Sequence, residues 1–233
     1  MRAADPETTV TPKTIAGAGE YWDHYYGREF VFGLGTEHIL AALQRVPPTG
    51  TWADLGAGSE SLLWSIALDA HRLIAIDRDE QRLRILGAYA LSREPRGAYR
   101  TVLALCGRGR ADFTERCARV SGTLAADCLT EAALPLRPGS ADLVTQFGLL
   151  GLTTSPGHFT RAWHTCHEPL TPGGWAAGAN WTATRREGRV RLSRPLYQAA
   201  FTRSGITPLL IEQVPVSGDP DFDSVWIYLG RKK

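Results

Sequence analysis

Methionine is almost missing from this chain: one residue, at position 1, in 233. Lysine is nearly as scarce, with Lys13, Lys232 and Lys233 alone, while arginine is abundant. That pairing reflects a GC-rich coding bias and says nothing about chemistry. Excess charge is missing too. The formal net charge is +2 with both signs interspersed, so neither a nucleic-acid footprint nor a membrane-surface bias is expected. The densest basic run, Arg185 and Arg186 with Arg189, Arg191 and Arg194, is interrupted by Glu187; it reads as a solvated loop in which one arginine can face an anionic substrate group. No apolar stretch is long enough to cross a bilayer, and no basic N-region with an apolar run marks a secretory signal. Cys106, Cys117, Cys128 and Cys166 form no C-x-x-C pair and read as reduced thiols of a cytoplasmic protein. His164, Cys166 and His167 lack the spacing of a ligand pair, so no metal is expected.

What the chain has is concentrated at residues 51–60, Thr-Trp-Ala-Asp-Leu-Gly-Ala-Gly-Ser-Glu. An apolar strand, an acid and a two-glycine turn lead into a helical pattern over 61–69, the opening of a nucleotide-binding α/β unit. A dinucleotide fingerprint needs G-x-G-x-x-G. Gly56 and Gly58 fit, but Ser61 stands at the third glycine position and Asp54 lies two residues ahead of the first. A carboxylate there repels a pyrophosphate but can hold an ammonium, directly or through water. S-adenosylmethionine carries such an ammonium and no phosphate, and D-x-G-x-G resembles motif I of class I methyltransferases. A second apolar strand, 73–77, ends in Asp77, about twenty residues past the turn, where an acid can bond both ribose hydroxyls. The alternative is that Asp77 and Asp79 cap the helix over 80–90.

Apolar strand patterns at 51–55, 73–77, 123–126, 141–147, 175–180, 209–216 and 224–229 alternate with helical ones, such as 159–167 and 193–203. They predict an α/β fold: a Rossmann-like, seven-stranded, mostly parallel sheet with helices on both faces. No helix separates the last two strands, so they pair antiparallel at the edge. Pro172-Gly173-Gly174 reads as a turn feeding the fifth strand. Residues 96–106 fit strand or helix equally and are taken as helix, followed by a helix over 112–120. Residues 1–12 are polar. An aromatic run follows, Tyr21, Trp22, Tyr25 and Tyr26 around His24, and then a helix over 36–43. The expected organisation is an N-terminal helical lid, 1–48, on a core of 49–233.

With these residues in view, the chain resembles the small-molecule methyltransferases that include the nicotinamide N-, phenylethanolamine N- and thioether S-methyltransferases. Tyr21, Tyr25 and Tyr26 match that family's Y-x-x-x-Y-Y lid, Asp54 to Gly58 its motif I, Ala126-Asp127-Cys128 its C-D-V segment, and Leu170 to Gly174 its L-x-P-G-G turn. The resemblance implies that Tyr21 and Tyr26 cover S-adenosylmethionine, with Tyr25 on the acceptor side. It implies that Gly56 and Gly58 approach the methionine part, that Asp77 holds the ribose, and that Asp127 and the Cys128 backbone flank the adenine. Asp127 can instead cap the turn after it. The family's substrate-binding aspartate at the end of the fifth strand is Asn180 here, which brings no charge.

The expected activity is methyl transfer to a small-molecule acceptor, first at nitrogen. The alternatives are an O- or S-methyltransferase of secondary metabolism, or a cofactor-binding protein without catalysis. His24 is the nearest base by sequence, against an exposed helix position. Gln146 and Phe147, at the end of the fourth strand, fall near the methyl group, because ligands sit beyond the carboxyl ends of such strands. Thr182 and Thr184 follow Asn180 towards the acceptor; Asn180 can equally be a strand-end turn residue. Oligomeric state leaves no mark in the sequence.

Overall fold

The computed structural model describes residues 17–130, 133–185 and 188–233, without the side chains of Tyr21, His24 and Tyr25. Seven strands form one sheet: β1 (Thr49–Leu55), β2 (Ala70–Asp77), β3 (Val120–Ala125), β4 (Ala141–Phe147), β5 (Leu170–Ala183), β6 (Ile206–Pro215) and β7 (Phe222–Lys232). Their order is β3-β2-β1-β4-β5-β7-β6. β1 to β5 pair in parallel, and β7 runs antiparallel between β5 and β6. The chain reverses direction between β1 and β4, since β2 and β3 lie on one side of β1 and the later strands on the other. That reversal opens a crevice at the carboxyl ends of β1 and β4, where ligands bind open α/β sheets.

The helices are α1 (Ala18–Trp22), which runs into a single π turn (Asp23–Gly27), then α2 (Thr36–Leu43), α3 (Ser61–Ser65), α4 (Glu80–Ser92), α5 (Ala98–Leu105), α6 (Arg110–Ala118), α7 (Pro156–His167) and α8 (Arg194–Arg203). Residues 96–106, ambiguous by pattern, are mainly helix α5, which buries Tyr99 and Val102. The helix expected over 61–69 stops at Ser65. Residues 66–68 tighten into i→i+3 bonds on Leu63, Trp64 and Ser65, and all of α3 is buried. Pro172 to Gly174 do not precede β5 but bulge out of it: pairing with β4 jumps from Ala141↔Leu170 to Leu143↔Trp175, with Gly173 at φ 77°.

Strand alternation divides the core in two. On one face Trp52, Leu73, Leu143, Ala177, Ala179 and Ile227 pack against side chains of α2 to α6; on the other Ala53, Leu55, Ile76, Val144, Ala176 and Tyr228 pack against α7 and α8. The N-terminal segment is fastened to the first face. Trp22 is 3% exposed, 5.0 Å from the Tyr89 ring, with the Arg96 guanidinium 4.6 Å from its own ring. Gly97, at φ 55°, receives the segment so closely that a Cβ would stand 2.5 Å from the carbonyl oxygens of Tyr26 and Gly27. Further along, Trp181 Nε1 donates to the Leu34 carbonyl at 2.9 Å, which ties the segment to the end of β5.

Gly97→Ala should therefore loosen residues 17–30 and cost about 1–3 kcal/mol through the left-handed backbone and the clash. Urea unfolding with limited proteolysis reads both effects; wild-type stability and an unchanged N-terminal cleavage rate would contradict this fastening.

Candidate functional site

β1 ends in the turn Gly56-Ala57-Gly58, with φ of 62° at Gly56 and 55° at Gly58. These are left-handed values that glycine adopts at little cost. A Cβ at Gly56 would press to 3.0 Å from Leu149, in the turn after β4. The Gly58 amide donates to Asp77 Oδ2 at 2.8 Å, and the Asp79 amide donates to Asp77 Oδ1 at 2.8 Å. Asp79 is the N-cap of α4, accepting from the Gln81 amide at 2.9 Å and the Arg82 amide at 3.4 Å. Asp77 is thus not a helix cap. It clamps the end of β2 to the glycine turn, and each of its oxygens keeps lone-pair capacity.

Asp54 lies beneath this turn, 1% exposed. Ser61 Oγ and Thr145 Oγ1 each donate to it at 2.6 Å, and Trp52 Nε1 donates to Thr145 Oγ1 at 2.7 Å. The hydroxyl at the missing third glycine is therefore bound to the carboxylate of β1. Burial raises the Asp54 carboxyl to about 7, against the lowering effect of those two hydroxyls. The Glu60 side chain folds back over the turn, accepting from the amide and hydroxyl of Ser59. Burial raises it to about 7 as well, opposed by Ser59 and Arg82.

Past β3, Asp127 is half-buried. Its Oδ1 accepts from the Leu129 amide at 2.9 Å, and Arg78 lies 3.8 Å from Oδ2. Cys128 is buried beside Gly56, and burial pushes its thiol up to about 12. At the end of β4 Phe147 is half-buried and stacks on Trp64 of α3, centroids 4.2 Å apart. A Cβ on Gly148 would meet the Trp181 ring at 3.9 Å. Gly56, Gly58, Asp77, Cys128 and Phe147 thus stand at or just past the carboxyl ends of neighbouring strands, with Asp54 buried beneath the turn.

Most of the polar residues expected at the acceptor are held by bonds within the protein. Gln146 and Asn180, both 0% exposed, face α7 and α8, because their neighbours Phe147 and Trp181 take the other face of the sheet. Gln146 accepts from the Leu150 amide at 3.0 Å and donates to Tyr228 OH at 3.3 Å. Asn180 accepts from the Gly151 amide at 2.8 Å and donates to Tyr197 OH at 2.9 Å. Thr182 is buried, with no partner for its hydroxyl among the described residues, and Thr184 is exposed and donates to the Pro220 carbonyl at 3.0 Å. Tyr26 is half-buried against the helical face. The side chains of Tyr21, His24 and Tyr25 lie outside the described residues. Glu60, Trp64, Leu149 and Trp181 carry no motif; the acid two residues past Gly58 was the one signal among them.

No protein-family model matches the chain, and no curated protein matches it in sequence. The fold is that of solved methyltransferases. N-methyltransferase NodS from Bradyrhizobium japonicum WM9, solved in complex with S-adenosyl-L-homocysteine, superposes with a TM-score of 0.57 at 15% identity, over 85% of this chain and 86% of that one. Geranyl diphosphate C-methyltransferase from Streptomyces coelicolor A3(2) gives 0.56 at 12%, over 85% and 75%. A possible exported protein from Bordetella parapertussis gives 0.56 at 15%, over 84% of this chain and 66% of that one. Among the described residues no helix is long and apolar enough to cross a membrane.

The raised carboxyls make stability depend on pH. Asp54 starts from an ordinary value of 3.8 and is held at about 7, so between these values the folded state binds the proton that the unfolded chain releases. Its stabilising contribution is complete below the lower value and lost as pH rises through the upper one. Thermal melts from pH 4 to 8 should show Asp54→Asn gaining on wild type across that window and levelling above it. A difference that does not change with pH would contradict the buried acid.

Proposed function

We propose that the chain is an S-adenosylmethionine-dependent methyltransferase acting on a small-molecule acceptor, at nitrogen in the first instance. The observation that carries this reading is the turn itself: a strand-end carboxylate, Asp77, holds the Gly58 amide at 2.8 Å in the crevice where this sheet reverses direction. The residues fit such a cofactor. Asp77 keeps acceptor capacity for the ribose hydroxyls. Asp127 and the Cys128 backbone stand at the next strand end for the adenine. Gly56 and Gly58 let the amino-acid end come close to the backbone. When bound, the sulfonium cofactor supplies an electrophilic methyl group.

The protein's share is positioning and exclusion of water. An acceptor atom must be held in line with that methyl group at about 3–3.5 Å. Phe147, Gly148 and Trp181 stand at the ends of β4 and β5 on the face towards α2 to α6, and the cover is assigned to Tyr21, Tyr25 and Tyr26. Aromatic faces favour a sulfonium and an acceptor with a flat apolar body. Such a lining supports a nucleophile that attacks without losing a proton first, as a pyridine-type nitrogen does. Where a proton must leave, His24 is the group assigned to take it. The buried bonds of Asn180 and Gln146 give those side chains the work of shaping strand ends rather than of gripping the acceptor.

Calorimetric titration of the purified chain with S-adenosylhomocysteine, against NADH as control, tests the reading. Micromolar binding of the former alone is expected, and Asp77→Ala should weaken it by about 1–3 kcal/mol. Binding of NADH instead, or of neither, would overturn it.

A further inference from the structure

We infer that Glu60, rather than Asp54, receives the ammonium of the cofactor, and that it closes the glycine turn to phosphate. This rests on the methyltransferase reading above and adds to it the residue that selects the ligand's charge.

The first ground is how the turn uses its amides. The Ala57 amide donates to the Ile76 carbonyl at 2.9 Å, the Gly58 amide to Asp77, the Ser59 amide to Glu60, and the Glu60 amide to the Ala57 carbonyl at 3.4 Å. A phosphate-binding turn presents such amides to its ligand. Here the four in a row are satisfied inside the protein, two of them by carboxylates.

The second ground is where the acids stand. Asp54, which the D-x-G-x-G pattern sets against an ammonium, is 1% exposed with a hydroxyl on each oxygen. Asp77 takes the Gly58 and Asp79 amides and gives its remaining acceptor capacity to the ribose. Glu60 is half-buried, and its carboxylate lies in the space that the missing side chain of Gly58 leaves open. Oε2 is 2.5 Å and Oε1 2.8 Å from the point where a Cβ would be. Among the described residues its hydrogen bonds come from Ser59 and fall on Oε2, which leaves Oε1 to accept from a ligand. Any group approaching the backbone at Gly58 meets this carboxylate first. A cation gains a charge-assisted bond there; a phosphate meets the repulsion of the carboxylate.

The test uses the full chain and two adenosyl ligands: S-adenosylhomocysteine, and 5′-methylthioadenosine, which lacks the amino-acid end. Wild type should bind both. Glu60→Gln should lose about tenfold or more in affinity for S-adenosylhomocysteine and keep its affinity for methylthioadenosine. Glu60→Asp, which keeps the charge, should recover part of the loss and serves as the second variant if the amide destabilises the turn. Equal losses for the two ligands would mean that Glu60 only holds the turn together, and an unchanged affinity for S-adenosylhomocysteine would remove it from the site; each overturns the inference while the methyltransferase reading stands. Wild-type binding of neither ligand would overturn both.

Discussion

The hydrogen bond from the Gly58 amide to the Asp77 carboxylate joins the ends of two adjacent parallel strands, and the rest of the site is arranged around it. It exists because the β1 backbone turns left-handed at two glycines, which brings an amide towards the acid that ends β2. Anchoring a carboxylate with backbone donors makes it a fixed acceptor rather than a mobile charge. The same turn then has to tolerate two more acids, Asp54 below and Glu60 above, both with carboxyls pushed up to about 7 by burial. On the proposed reading, a turn built this way disfavours a phosphate and favours a ligand that brings hydroxyls and a positive charge.

Around that crevice the sheet separates two kinds of work. The face towards α7 and α8 is a closed aromatic and hydrogen-bonded core, in which Tyr197 and Tyr228 satisfy Asn180 and Gln146. The face towards α2 to α6 carries Trp64, Phe147 and Trp181 up to the strand ends, and the N-terminal segment crosses it. Trp22 among Tyr89, Tyr99 and Arg96 and Trp181 on the Leu34 carbonyl hold that segment at both ends. On the proposed reading, the acceptor meets that face at the carboxyl ends of the strands.

Much of the fold was legible in the sequence because buried parallel strands read as apolar runs bounded by turn residues. Every expected strand is found, and the missing helix before the last strand marked the antiparallel pair. Residues 96–106 stayed ambiguous because a short apolar run fits either period; packing of Tyr99 and Val102 decides for helix. The glycine turn and the acid after β2 were legible as a pattern. The facing of β4 and β5 was not. Gln146 and Phe147 are neighbours at the same strand end, and only the helices packed on each side determine which of them meets the crevice. The bonds of Asp54 were hidden for a similar reason, since Thr145 is 91 residues away in sequence. Glu60 was visible as an acid beside the turn, but its return onto Gly58 depends on a side-chain conformation that no motif encodes.

The most direct test of the central claim is a crystal structure of the chain with S-adenosylhomocysteine. The ribose hydroxyls should lie within hydrogen-bonding distance of Asp77, the adenine beside Asp127 and Cys128, and the amino-acid end over Gly58. A ligand bound anywhere else, or an anionic group taking the Ser59 amide in place of Glu60, would contradict it.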